Sequence, residues 1–113
     1  MDKVTHYQRI LSEFLTDYVK DAQLSTMPDV QPRLLIDTER NSFQVVQIGW
    51  HNNRFVFTPV FHFDIIDAQL WLQCNNTEWK IDAILIAKGI AKQDFILGFQ
   101  PPSVRAYLQQ SAA

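Results

Sequence analysis

RFVFTPVFHFDI, residues 54–65, alternates strongly between aromatic and other side chains. Phe55, Phe57, Phe61, Phe63 and Ile65 share one parity, so on an unbroken strand they project from one face. Burying one Phe side chain is worth about 1.5–3 kcal/mol. Four on one face cannot be left in water, and that face is expected to pack on a helix. Pro59 interrupts the run. Proline has no N–H to give a neighbouring strand, so either a bulge sits at Thr58 and Pro59 or one neighbour departs there. A bulge would also shift the parity beyond it.

Upstream, Tyr7, Ile10, Leu11, Phe14, Leu15, Tyr18 and Val19 recur at three and four, which is the apolar stripe of a helix over residues 2–22. Asp2 is a suitable N-cap, and residues 25–29 (STMPD) read as a loop. Apolar runs at 33–37 (RLLID), 43–50 (FQVVQIGW) and 69–73 (QLWLQ) supply the other strands. Asn52 and Asn53 suit a tight hairpin, because Asn tolerates positive φ. Short links between successive strands imply an antiparallel meander of four strands. Downstream, Thr77 caps a second helix, Glu78 sits in its first turn and Gly89 ends it.

The chain closes with ILGFQPPSVRAYLQ, residues 96–109. Gln100 and Pro101, each before a proline, are held extended. Pro102 has its φ already set for a first helical position. Gly98 permits a backbone conformation other residues resist. This corner is expected to aim a short helix, residues 103–110, back over the body. The reading is a single α+β domain over residues 1–113. It has a long N-terminal helix on a four-stranded antiparallel meander, a second helix, and a short C-terminal helix after Pro101 and Pro102.

Composition narrows the function. Of 113 residues, 12 are acidic and 10 basic, and the net charge is −2. Bases and acids are mixed throughout, whereas a nucleic-acid binder usually concentrates basic residues on one face. No run reaches the roughly 20 apolar residues of a membrane span, and MDKVTHYQRI has no apolar signal region. The expectation is a soluble cytoplasmic protein. A single cysteine, Cys74, excludes an internal disulfide and a multi-cysteine metal site. No cation adjoins it in sequence to lower its pKa.

His62 and Asp64 lie two apart on one strand and share a face, as a base and its orienting carboxylate would. No nucleophile in a recognisable setting accompanies them. His51 and His6 have no metal-ligand spacing. Asp37, Glu39 and Arg40 read as a solvated turn. The expectation is no catalytic, cofactor or metal site. Binding is better supported. Val46, Ile48 and Trp50 oppose the parity of Phe43 and Val45, Trp71 opposes Leu70 and Leu72, and Val56 and Val60 oppose the Phe row. One helix covers one face of a sheet, so the second face needs the C-terminal elements or another chain. A homodimer, or a subunit of a heteromer, is expected.

Five segments carry a family resemblance: HYQRIL (6–11), DTERNSFQVVQIGW (37–50), VFHFDI (60–65), LWLQCNNTE (70–78), and the stretch from Gly89 through LGFQPPSVRAY (97–107). In order and spacing the chain resembles the XisI family, the fdxN element excision controlling factors of cyanobacteria. It departs from the family pattern in having Gln100 for a histidine, Ser103 for an acid, Ala68 for a turn glycine, Trp79 for a small acid, and Pro59. The resemblance implies an accessory role with a companion, XisH, in controlling excision of a DNA element by a site-specific recombinase during heterocyst development. Contacts with the recombinase and DNA would then be indirect. Trp50, His51, Arg54, Arg105 and Tyr107 are the candidate partner-binding residues, being types that concentrate binding energy at interfaces. The alternative is a DNA-binding directionality factor, with Lys80, Lys88, Lys92, Arg54 and Arg105 converging on one face. An enzyme using His62 and Asp64 is the remotest reading.

Overall fold

The computed structural model describes residues 2–22 and 29–106. Helix α1 (Lys3–Ala22) is followed by strands β1 (Val30–Asp37), β2 (Ser42–His51), β3 (Arg54–Ile66) and β4 (Gln69–Asn75). Helix α2 (Ile81–Ala87), a 3-10 turn (Lys92–Asp94) and strand β5 (Phe95–Leu97) complete the ordered elements, and residues 102–106 form one further helical turn. Residues 25–28 of the expected loop and 107–110 of the expected terminal helix lie outside the described residues.

Asp2 caps α1 as its sequence position implies, its Oδ1 accepting the Thr5 N–H at 2.7 Å. The apolar stripe of α1 lies on one face of the sheet. Tyr7, Ile10, Leu11, Phe14 and Leu15 form one cluster with Phe43, Val45, Phe61, Phe63, Ile65, Leu70 and Leu72, joined by Ile81 and Leu85 of α2. Both helices therefore occupy one side.

Among the described residues the sheet has five strands in the order β1-β2-β3-β4-β5, where four were expected. The first four form the antiparallel meander, but Phe95–Leu97 adds a strand parallel to β4. Parallel pairing needs a crossover, and α2 supplies it. Three apolar residues beside a glycine carry too little periodicity to announce such a strand. A second correction concerns Thr77. It does not cap α2, which starts at Ile81 with no side-chain cap. Asn75 instead accepts the Thr77 N–H and hydroxyl at 3.0 and 2.6 Å and donates to the Trp79 carbonyl at 3.1 Å. That local network holds the chain in a turn, in competition with the helix. Gly89 does end α2, with φ +120° and the Ile90 N–H reaching back to the Leu85 carbonyl at 3.0 Å.

Both alternatives at Pro59 occur together. Val45 pairs with Phe61 while Val46 pairs with Pro59, so Val60 is the extra residue of a bulge. Pairing of β3 with β4 begins only at Phe61, so among the described residues the half of β3 before it has no strand on that side. The bulge divides the Phe row. Phe61 and Phe63 are fully buried under α1, whereas Phe55 and Phe57 are 55% and 64% exposed. The expectation that all four share the helix face is thus corrected.

Candidate interaction surface

The face turned away from α1 is set by the register. From the hairpin tip, its rungs are Trp50 opposite Phe55, then Ile48 opposite Phe57, then Val46 opposite Pro59. Asn52 and Asn53, at φ 51° and 63°, form the two-residue turn that brings His51 opposite Arg54. Trp50 is 60% exposed and stacks at a tilt on Phe55, with ring centroids 5.4 Å apart. Three large aromatic side chains thus stand together in solvent, while the exposed His51 and Arg54, one rung on, alternate to the opposite face. Gly49 makes the arrangement possible. At φ +155° its Cα lies so close to β1 that a Cβ would strike the Asp29 carbonyl oxygen and sit 2.7 Å from Val30 Cα.

The middle of this face is polar. Asp64 Oδ1 accepts from the Ser42 hydroxyl at 2.8 Å and lies 3.0 Å from His62 Nε2, and Asp64 Oδ2 is 3.4 Å from Gln73 Nε2. The trio contains the residue types of a hydrolytic triad in the wrong order. Catalysis by such a triad needs the imidazole between hydroxyl and carboxylate; here the carboxylate stands between the other two, so the His62 imidazole contacts Asp64 and not the Ser42 oxygen. Cys74 lies opposite His62, and burial pushes its thiol pKa up, away from the reactive thiolate. Among the described residues, no group of three or more His, Cys, Asp or Glu comes together as a metal site would require.

The far end is covered by the chain itself. Arg105 lies over the Trp71 ring, 4.9 Å from its centroid, and Pro102 and Ala106 line the same corner with Ile96. The Arg105 N–H bonded to the Pro101 carbonyl at 3.0 Å closes the helical turn that places it there. Gly98 serves this packing differently from what its sequence position implies. Its φ is ordinary, but a Cβ would run into the Gln73 amide and press on Trp71 at 3.2 Å.

Of the sequence-derived contact residues, Trp50, His51 and Arg54 lie together at the hairpin tip, but strand alternation turns His51 and Arg54 to the face opposite Trp50. Arg105 is not among them: Trp71 shares a rung with Asp64 and Ser42, eight residues along β2 from Trp50, or roughly 26 Å at 3.3 Å per residue. Tyr107 lies outside the described residues. Phe55 and Phe57 were missed as site residues, and Pro59, the signal for the bulge, could have found them. The basic residues do not converge. Lys80 and Lys88 flank α2 on the helical side, Lys92 opens the 3-10 turn, Arg54 is at the hairpin tip and Arg105 is on the opposite sheet face.

A buried polar knot also escaped the sequence. Asp94 Oδ2 accepts from the Tyr7 hydroxyl at 2.6 Å and pairs with Lys3 Nζ at 2.9 Å, and the Tyr7 oxygen accepts the Ala91 N–H at 3.2 Å. Burial pushes the Asp94 carboxyl up, but the Tyr7 and Lys3 hydrogen bonds and the Lys3 charge hold it below its usual range. It ties the first turns of α1 to the entry of β5. It is a structural clasp spanning 87 positions.

The XisI protein family profile matches residues 1–112. A crystal structure of a XisI-like protein from Anabaena variabilis is 36% identical, with a TM-score of 0.85, over 92% of this chain and 94% of that one. The fdxN element excision controlling factor XisI from Anabaena variabilis is 29% identical, with a TM-score of 0.78, over 99% of this chain and all of that one. Among curated proteins, none matches this chain. No helix among the described residues is long and apolar enough to cross a membrane.

Proposed function

Because the chain belongs to the XisI family, we propose that it is a non-enzymatic factor controlling excision of a DNA element, acting through contacts with other proteins. The observation that carries this reading is the hairpin end of the sheet, where Trp50, Phe55 and Phe57 are each more than half exposed on one face. Exposed aromatics grouped in this way mark surfaces that bind protein. The partner is a XisH-like protein, and self-association accompanies that contact. The strand-cutting chemistry belongs to a site-specific recombinase in the cytoplasm, as in heterocyst development, and this chain influences it indirectly. Direct DNA binding is disfavoured by the scatter of the bases and the net charge of −2.

Co-purification tests the reading. Tagged chain is expected to retain a XisH-like protein through washes at 0.5 M salt, and to pass through a duplex-DNA column at 0.1 M salt. Retention on DNA that falls steeply with salt, without capture of the XisH-like protein, would replace this reading with the DNA-binding one.

A further inference from the structure

We infer that two copies of this chain pair antiparallel along the free edge of β3, with a two-fold axis through Val56, and that the pairing joins two hairpin patches into one docking face. The inference rests on the protein-contact reading above and specifies its geometry. In the β2–β3 ladder, the two-residue turn makes His51 and Arg54 a hydrogen-bonded pair, and pairs alternate from there. Phe55 and Phe57 therefore direct their backbone N–H and C=O groups away from β2. Among the described residues no strand meets this side of β3 before Phe61.

The edge is self-complementary. With Val56 on the axis, Phe55 faces the partner's Phe57, and each such pair exchanges two N–H···O bonds, satisfying all the outward groups of both copies. A register centred one residue later would set Phe55 against Pro59, which has no N–H to give. Pro59 also has its carbonyl occupied by the Asn76 side-chain amide at 2.8 Å. Proline on one flank confines pairing to a short window, so the contact closes as a dimer and does not propagate. Arg54 falls opposite the partner's Thr58, and no like charges oppose each other.

Area favours a second copy over a single patch meeting the partner alone. At about 150–250 Å² per aromatic side chain, the exposed parts of Trp50, Phe55 and Phe57 amount to roughly 350 Å². A specific interface takes about 800 Å² from each side. Edge pairing leaves the rings on the open face and brings the two sets together, giving about 700 Å² of aromatic surface in one strip.

Disulfide trapping tests the register. In a Cys74→Ser background, Val56→Cys places two thiols on the axis, in a non-hydrogen-bonded pair with Cα atoms about 4.5 Å apart, within disulfide reach. Thr58→Cys, four residues out of register with itself, is the control. The expected result is a dimer by sedimentation at 100 μM, with Val56→Cys cross-linking on mild oxidation at least tenfold faster than Thr58→Cys. A monomer at 100 μM, or a dimer in which Thr58→Cys links as fast, overturns the pairing. Capture of the XisH-like protein by such a monomer would leave the protein-contact reading standing. Hydrogen exchange of the unsubstituted chain covers the case in which Val56→Cys does not fold. The Phe55 and Phe57 amides should slow at least tenfold between 1 and 100 μM, and unchanged rates overturn the inference.

Discussion

Trp50 and Phe55 face each other across the β2–β3 hairpin with ring centroids 5.4 Å apart, and both rings are more than half exposed. Neighbouring Phe57, opposite Ile48, is more exposed still. The same strand that supplies the buried core aromatics Phe61 and Phe63 thus also supplies the exposed Phe55 and Phe57. A single extra residue, Val60, separates the two uses. The bulge turns one end of β3 inward and the other outward.

The turn between β3 and β4 stores strain that one substitution relieves. Asp67 and Ala68 both have positive φ, at 52° and 60°. Ala lacks the side-chain oxygen that helps Asn or Asp tolerate this region. Ala68→Gly should therefore stabilise the fold by about 0.5–1 kcal/mol, the strain relieved exceeding the entropy a glycine adds to the unfolded chain. Urea unfolding measures it.

Gly49 should tolerate no side chain. A Cβ there meets backbone, which cannot swing aside: the Asp29 carbonyl and Val30 Cα at 2.7 Å. Gly49→Ala should cost about 2–4 kcal/mol, and should loosen the start of β1 first. Hydrogen exchange of the Trp50 amide, which donates to the Asp29 carbonyl at 3.2 Å, reports that loosening.

The Tyr7–Asp94–Lys3 clasp predicts an acid dependence. The folded carboxyl of Asp94 lies below its ordinary value of 3.8. Its contribution is therefore present above that pH and is lost as pH falls through the lower folded value. The stability difference between the unsubstituted chain and Asp94→Asn should be constant from pH 5 to 7 and shrink below about pH 4. Lys3, raised above 10.5 by its Asp94 hydrogen bond, loses its share only on the alkaline side. Tyr7→Phe removes a hydrogen bond to a charged acceptor and should cost about 1.5–3 kcal/mol at pH 7.

The Asp64 cluster should matter to folding and not to binding. Asp64→Ala removes the shared acceptor of Ser42, His62 and Gln73, at a cost of about 1–3 kcal/mol. His62→Ala leaves the Ser42 bond in place and should change affinity for a XisH-like partner less than threefold. Loss of function in His62→Ala with folding and binding intact would reopen the catalytic reading.

Much of this architecture is legible in the sequence, where local rules decide. The stripe from Tyr7 to Leu15, the Asn52 and Asn53 turn, the Gly89 helix end and the proline at the bulge each follow from propensity or sterics acting over a few residues. What escapes depends on partners distant in the chain. Phe95–Leu97 becomes a strand because α2 returns it beside β4. Asp94 is buried because Tyr7 and Lys3 await it. Thr77 loses its capping role to a competing side chain, Asn75, two residues away. At the candidate surface Trp50 could be read from the hairpin, while Phe55 and Phe57 were hidden by an alternation that continues unbroken in letters and breaks in space.

The most direct test of the central claim, that the aromatic end of the sheet works by being covered by another protein, is oxidative footprinting of the chain alone and with the proposed XisH-like partner. The account predicts that oxidation of Trp50, Phe55 and Phe57 slows at least fivefold in the complex while Trp79, on the helical side, is unchanged. Protection confined to the helical side, with the three hairpin rings oxidised as fast as in the free chain, would contradict it.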